Sequence, residues 1–490
     1  MPAGKLLAAA GFDWYWIPMM KRSRFAICFL AAAVALSLLQ PVCAQFSLYA
    51  PRDHYLLLNG DRIASKKGVE LVLGSPEKHP KNPLMVEDKP WEPRYDNLYP
   101  NVIFDPFEKF YKAWFGPFIV CESTTQTPPE KREELKYLGS HAGRKRESGV
   151  LYGTSHDGVL WNKPLLDLNK WDDGAKTNIL LRGPHGAGVF RDARDSRRRF
   201  KMLYKDGDSL KVRFSKDSIR WEDPLPAEGA EAPGDTHNWP FWAPTRNEYV
   251  AITRLWEDVD GKRVRVVGRT ASKDFLKWSK VEPVLKGLSP DQQVYAMPVI
   301  YHGGVYLGFP AIFDTKTDRV HAELAWSPDT IRWERLNAGI PFLSNGETGG
   351  YDWGCVFVGS VVLMNDGARI FYGGSDGPHS GWRKGSLNLA KLQTDRFAGY
   401  KSTGPEPGNL LLKPLPYPGG KLRLTADIEE GGSVTISAED TEGTNVVTEV
   451  TITKSGVDIP VEATIPGSTK ELVITIRVDR ATVYAVGFGK

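Results

Sequence analysis

Ser272-Lys273-Asp274-Phe275-Leu276-Lys277-Trp278 is one of four copies of a Ser-x-Asp-x-x-x-Trp pattern, the others being Ser155-His156-Asp157-Gly158-Val159-Leu160-Trp161, Ser215-Lys216-Asp217-Ser218-Ile219-Arg220-Trp221 and Ser327-Pro328-Asp329-Thr330-Ile331-Arg332-Trp333. Successive serines stand 60, 57 and 55 residues apart. A fixed motif at a near-constant period of this length marks a repeated supersecondary unit and suits the blades of a β-propeller. A degenerate fifth copy reads at Thr394-Asp395-Arg396-Phe397. The repeat Asp is expected to close a turn by accepting from backbone N–H groups, and the repeat Trp to fill the wedge between blades.

Working outward, an alternating apolar segment precedes each copy, at 149–152, 210–214, 264–268, 320–326 and 387–392. Two further strands joined by a tight turn lie before each of these, for example 298–301 and 305–309 around His302-Gly303-Gly304. Four strands per unit and five units predict an all-β chain with a five-bladed propeller over 50–402. After a stretch rich in Pro, Gly and Leu, alternating strands resume between 421 and 488. They predict a C-terminal β-sandwich over 407–490 that braces the propeller.

Composition agrees. The 490 residues include 48 Gly, 35 Pro and 15 Trp, as expected of short strands punctuated by turns. With 63 Lys and Arg against 59 Asp and Glu and no long single-sign block, nucleic acid is not an expected partner. Lys21, Arg22 and Arg24 precede an apolar run over 25–39 and the small-residue stretch Val42-Cys43-Ala44, a signal-peptide pattern over 1–44 in which 1–19 is an upstream extension. The expected mature protein is secreted or periplasmic and monomeric, without stable membrane insertion. It retains only Cys121 and Cys355. These belong to blades that neighbour each other in a closed ring, so one disulfide or two reduced thiols are both open.

If the first strand of each blade lines the axis, the loops between blades and those between second and third strands share one rim. That rim is the candidate mouth. Asp96 and Asp235, from different blades, are the candidate catalytic carboxylates, with Asp352 as an orienting or charge-stabilising third. Glycosidic cleavage needs one carboxyl group to protonate the leaving oxygen and another to attack or activate water. Arg94, His185, His237, Arg254, Tyr295, Glu347, Trp353, Asp376 and His379 are the candidate substrate-binding residues, offering hydrogen bonds and stacking planes to a carbohydrate. No zinc-type spacing occurs, so no metal and no cofactor are expected. Glu323 is expected to be a buried partner for an arginine.

The blade ends and the five-unit count followed by a sandwich resemble the five-bladed propeller glycoside hydrolases of families 32, 43 and 68. The chain looks like secreted bacterial proteins near the family 32 N-terminal domain. That resemblance implies an Asp before the first axial strand as nucleophile or base, a transition-state-stabilising Asp in blade two, and an acidic Glu in blade three. Asp96 in Tyr95-Asp96-Asn97 matches the first in position, without the Asn-Asp-Pro-Asn run. Arg191-Asp192 is similar to the Arg-Asp-Pro motif but falls at the far end of its strand, and blade three reads Asn238-Trp239-Pro240 with Asp235 as the nearest acid. The resulting expectation is a secreted glycoside hydrolase acting on a polysaccharide or oligosaccharide; the alternative is a non-catalytic glycan-binding propeller.

Overall fold

Each repeat folds into the same side-chain-braced turn. Asp157 Oδ1 accepts from the N–H groups of Val159 and Leu160, both at 2.8 Å. Asp274 does the same with Leu276 and Lys277, both at 2.8 Å, and Asp217 and Asp329 follow suit. The repeat Ser hydroxyl accepts from the N–H three residues on, at 2.8 or 2.9 Å in all four copies. That residue has a positive φ, 77° at Gly158, 74° at Ser218, 67° at Phe275 and 68° at Thr330. Three of the four are not glycine, so these bonds hold a backbone region that L-residues disfavour. The repeat Asp is thus a turn acceptor, as expected. The fifth copy is displaced by one residue from its expected alignment, because Asp395 itself has φ 64° and so occupies the position of Gly158 rather than that of Asp157.

The computed structural model describes residues 53–134 and 144–489, apart from 59, 61 and 464. The signal peptide expected over 1–44 lies outside the described residues. The fold is all-β, with antiparallel sheets of four strands laid out as in a propeller. One sheet is formed by Asn101–Asp105, Phe110–Phe115, Arg146–Ser155 and Ile179–Arg182. The next holds His185–Arg191, Phe200–Asp206, Ser209–Ser215 and Leu225–Pro226; a third holds Trp239–Ala243, Glu248–Val259, Lys262–Ser272 and Glu282–Leu285. A fourth holds Val299–His302, Val305–Gly308, Leu324–Ser327 and Glu334–Leu336. Cys355–Met364, Gly367–Ser375 and Gly385–Leu392 follow within an eight-stranded sheet. Their outer edge is completed from the start of the chain, by Glu77–Lys78 and Met85–Val86 pairing with Gly385–Leu392.

Apolar faces of successive sheets meet in separate clusters, and the repeat aromatics sit in them. Trp161 meets Phe371 edge-on at 5.9 Å. Trp221 packs on a cluster with Trp114 and Phe200, Trp278 on one with Phe214 and Tyr249, and Trp333 on one with Phe241 and Tyr306. Phe397 takes the corresponding place beside Phe309 and Phe342. The first strand Asn101–Asp105 also reaches the late strand Cys355–Met364: Ser360 Oγ accepts from Val102 N at 2.8 Å and donates to Pro100 O at 2.9 Å.

One local expectation changes. The segment 320–326 is not one strand but breaks at Glu323 into Arg319–Ala322 and Leu324–Ser327, just as 305–314 breaks at Phe309-Pro310. Pro310 has no N–H to donate to a ladder, and the Glu323 carboxylate turns to Arg335, accepting from Nη2 at 2.6 Å and Nε at 2.8 Å. The outer halves therefore leave their sheet, and Val320 pairs in parallel with Cys355. Cys121 and Cys355 are both buried free thiols. Cys121 Sγ lies 3.3 Å from Ser123 Oγ and from Thr124 Oγ1, while burial pushes the Cys355 thiol pKa up.

The C-terminal part is a ten-stranded hydrogen-bonded sheet dominated by Lys421–Glu439 and Glu471–Gly489. Alternate residues of both strands, such as Leu424, Val434, Ile436, Ile474, Ile476 and Val478, are fully buried in one core. The early strands Asp53–Leu56, Ile63–Lys67 and Val69–Leu73 also belong to this sheet. Among the described residues no helix is long and apolar enough to cross a membrane.

Candidate functional site

Five segments from loops and strand ends converge on one narrow cavity that opens to solvent. Its lining includes Asp96, Asn97 and Tyr99 from the run into Asn101–Asp105, Phe118 from the loop after Phe110–Phe115, His185 at a strand start, Asp235 before Trp239–Ala243, and Tyr295 after Gln292–Val294. The extended loops meet here because each chain segment must cross the same rim to reach its next sheet.

Asp96 is nearly buried, with 11% of its side chain exposed, and is clamped by two guanidinium groups. Arg383 Nη2 donates to Asp96 Oδ1 at 2.9 Å and to Asn97 Oδ1 at 2.7 Å. Arg94 Nη2 lies 3.2 Å from the same Asp96 oxygen. Burial alone would raise the carboxyl pKa, but Arg383 and Arg94 outweigh it and bring it down to about 2. Asn97 Nδ2 in turn donates to Tyr295 Oη at 3.0 Å. Asp235 is half-exposed and pairs with His185 Nε2 at 3.1 Å and Arg254 Nη2 at 2.7 Å. Burial pushes its pKa up, yet the His185 hydrogen bond and the Arg254 charge pull it well below the usual carboxylate range. Both carboxylates are therefore bases at neutral pH, and neither holds a proton to donate.

His185 links two groups. Its Nδ1 lies 3.0 Å from Ser148 Oγ, and its ring stacks on Phe118 with an interplanar angle of 14°. In the tautomer with hydrogen on Nε2, that N–H points to Asp235 while Nδ1 accepts from the Ser148 hydroxyl. Arg254 is buried, lies over the rings of Tyr295 (5.3 Å) and Trp256 (5.1 Å), and has Nε and Nη1 without a hydrogen bond among the described residues.

The other candidate residues divide. His237 lies beneath the lining: it stacks on Tyr99 with centroids 5.0 Å apart, and its Nε2 meets Asn101 Oδ1 at 2.9 Å. Burial lowers its pKa to about 3, so it is a neutral donor. His379 packs on Phe313 and Tyr295 at 4.4 and 5.1 Å, and burial followed by the Arg383 charge lowers its pKa to about 3. Asp352 is not brought to this cavity. It is buried in an ion pair with Lys78 at 2.7 Å and accepts from Tyr372 Oη at 2.9 Å. Glu347 is exposed away from the lining. The Trp353 ring lies 5.1 Å from the Arg319 guanidinium, and Asp376 accepts from Lys384 N at 2.8 Å. Asp192, part of the Arg-Asp pair noted in the sequence, is buried away from the cavity and accepts from Tyr249 Oη at 2.7 Å.

Sequence reading missed Arg383, Ser148 and Glu87. Arg383 adjoins Trp382 in a loop already assigned to the rim, but no motif marks it. Glu87 Oε1 accepts from Tyr95 N and Gly385 N, both at 2.9 Å, bracing the loops that carry Asp96 and Arg383. Burial raises its pKa to about 7.

No family model and no curated protein matches the chain. Among solved structures it is similar to an N-acetylgalactosamine deacetylase from F. plautii in complex with blood group B trisaccharide, at 14% identity over 66% of this chain and 96% of that one, TM-score 0.45. It is also similar to a glycosyl hydrolase from Bacteroides ovatus, at 13% identity over 65% of this chain and 94% of that one, TM-score 0.42. A third likeness is to a structure of the GH130 family, described as containing glycoside hydrolases that target beta-1,2 mannosidic linkages in Candida mannan, at 14% identity over 65% and 94%, TM-score 0.40.

Proposed function

We propose that this protein is a secreted, monomeric, carbohydrate-active enzyme, a five-bladed propeller with a C-terminal sandwich whose mouth cleaves O-glycosidic bonds. The observation that carries the reading is the meeting of Asp96 and Asp235, far apart in sequence, in one cavity walled by Tyr99, Phe118 and Tyr295. Aromatic faces and fixed polar groups together suit a sugar ring. The ring reading is supported by the apolar clusters between successive sheets and by Ser360 joining the first and last of them. Ionised Asp96 and Asp235 serve as nucleophile or base and as a stabiliser of the positively charged transition state. The proton for the leaving oxygen is assigned to His185 in its imidazolium form, which gives up the Nδ1 proton and returns to the neutral ring with Nε2–H still on Asp235.

A second reading rests on Ser148, His185 and Asp235, a hydroxyl, imidazole and carboxylate in hydrogen-bonded series. Such a series activates a hydroxyl for attack on an ester carbonyl of an acylated sugar. One experiment separates the two: incubation with a panel of native and O-acylated polysaccharides, assaying reducing ends and free carboxylic acid. The first reading expects reducing ends, reduced about 10²–10⁴-fold in Asp96→Asn and unaffected in Ser148→Ala. Release of acid alone, abolished by Ser148→Ala, supports the second. Binding without either product returns the protein to a glycan-binding module.

A further inference from the structure

Away from the mouth, three side chains from remote stretches meet in the interior. His54 comes from the early strand Asp53–Leu56, His302 ends the strand Val299–His302, and Asp395 sits in the displaced fifth turn. Their side chains are 3%, 2% and 0% exposed. Both imidazoles direct Nε2 at one oxygen: His302 Nε2 lies 2.8 Å from Asp395 Oδ1, and His54 Nε2 lies 3.2 Å from it. The rings cross at 63° with centroids 4.8 Å apart, and the three ligand atoms lie within 4.8 Å of one another.

We propose that His54, His302 and Asp395 bind a zinc ion through the two Nε2 atoms and Oδ1. Donors about 2.0–2.2 Å from a tetrahedral zinc lie about 3.3 Å from each other. The two Nε2–Oδ1 separations, 2.8 and 3.2 Å, need only a small outward movement to accept the ion, and the two Nε2 atoms, which with Oδ1 lie within 4.8 Å of one another, swing to about the same spacing as it binds. Two imidazoles and a carboxylate suit zinc, whereas calcium and magnesium take oxygen ligands throughout. The second oxygen, Oδ2, accepts from Thr425 Oγ1 at 3.3 Å, an outer hydrogen bond that orients the carboxylate. The surroundings keep the ligands close. Leu56 N donates to Gly303 O at 3.0 Å, and a Cβ on Gly303 would stand 2.5 Å from Leu56 Cγ and 3.3 Å from His54 Nε2. None of the three ligands lines the mouth. The ion's role is therefore to staple the early strand, the hairpin turn at Gly303 and the fifth turn beneath the C-terminal sheet.

The test uses the full chain purified without a polyhistidine tag, incubated with zinc chloride and desalted, with zinc measured by elemental analysis and melting followed with and without dipicolinate. About one zinc per chain is expected, with a melting temperature several degrees higher in the zinc-loaded protein. Asp395→Asn keeps an oxygen to accept from both rings but removes the charged ligand. It is expected to fold, to bind zinc at least about tenfold more weakly and to lose the zinc-dependent shift. Parent protein that retains no zinc, or an Asp395→Asn variant that binds it as the parent does, would overturn the proposal and leave the three residues as a hydrogen-bonded cluster. The measurement does not depend on any glycan activity.

Discussion

His237 and His379 are the residues whose chemistry the interior changes most visibly. Both are neutral in the fold, with pKa values lowered to about 3 from 6.5. Between those values the unfolded chain binds more protons than the folded one, so stability rises with pH there and is lost as pH falls below 6.5. Urea melts from pH 7 to 4 are expected to show a falling midpoint, and His237→Gln, which keeps a donor for Asn101, is expected to flatten part of that slope. Asp96 adds a second loss at lower pH, between its ordinary value of 3.8 and about 2. Glu87 runs the other way: its raised pKa makes the fold less stable as pH climbs from 4.5 to about 7. Arg383 holds Asp96 and Asn97 together, so Arg383→Met leaves the buried Asp96 carboxylate to Arg94 alone. It is expected to cost about 1–3 kcal/mol in a chemical-denaturation assay and, on the proposed function, to weaken glycan binding.

At the scale of the element, the repeat turn is the recurring device. Its Asp accepts two backbone N–H bonds, as a helix N-cap does, so Asp217→Ala is expected to cost about 1 kcal/mol and Asp217→Asn less, measured by urea unfolding. The Trp that follows acts between sheets rather than within the turn. Trp278→Ala, in the cluster with Phe214, Tyr249 and Phe275, is therefore expected to cost about 3–5 kcal/mol. The turns were legible because Ser, Asp and Trp are each required by a specific contact. The fifth was misaligned because Asp395 resembles a repeat Asp in type while sitting one position later, at a positive φ. The break at Glu323 was equally hidden, since an alternating apolar run reads the same whether or not its outer half changes sheet.

For the whole molecule, the contact between the first strand Asn101–Asp105 and the late strand Cys355–Met364 is the decisive one. Gly359 lies in the bulge between Val358 and Ser360, and a Cβ there would meet the Pro100 carbonyl oxygen at 2.4 Å. Gly359→Ala is expected to destabilise the protein by about 1–3 kcal/mol or more by forcing these two strands apart. Its effect should appear in thermal unfolding while the repeat turns, which are local, keep their amide protection in hydrogen exchange.

The amino-acid sequence determined the all-β class, the repeat turns and the rim on which Asp96, His185, Asp235 and Tyr295 gather, because these follow from local hydrogen bonding and from strand alternation. It left Glu77–Lys78 and Met85–Val86 unrecognised as the outer edge of the last sheet. It likewise concealed the clamp of Arg383 on Asp96, the withdrawal of Asp352 to Lys78, and the meeting of His54, His302 and Asp395. Only the tertiary structure decided these, since each joins residues hundreds of positions apart through side chains whose direction is set by packing and not by their neighbours in the chain.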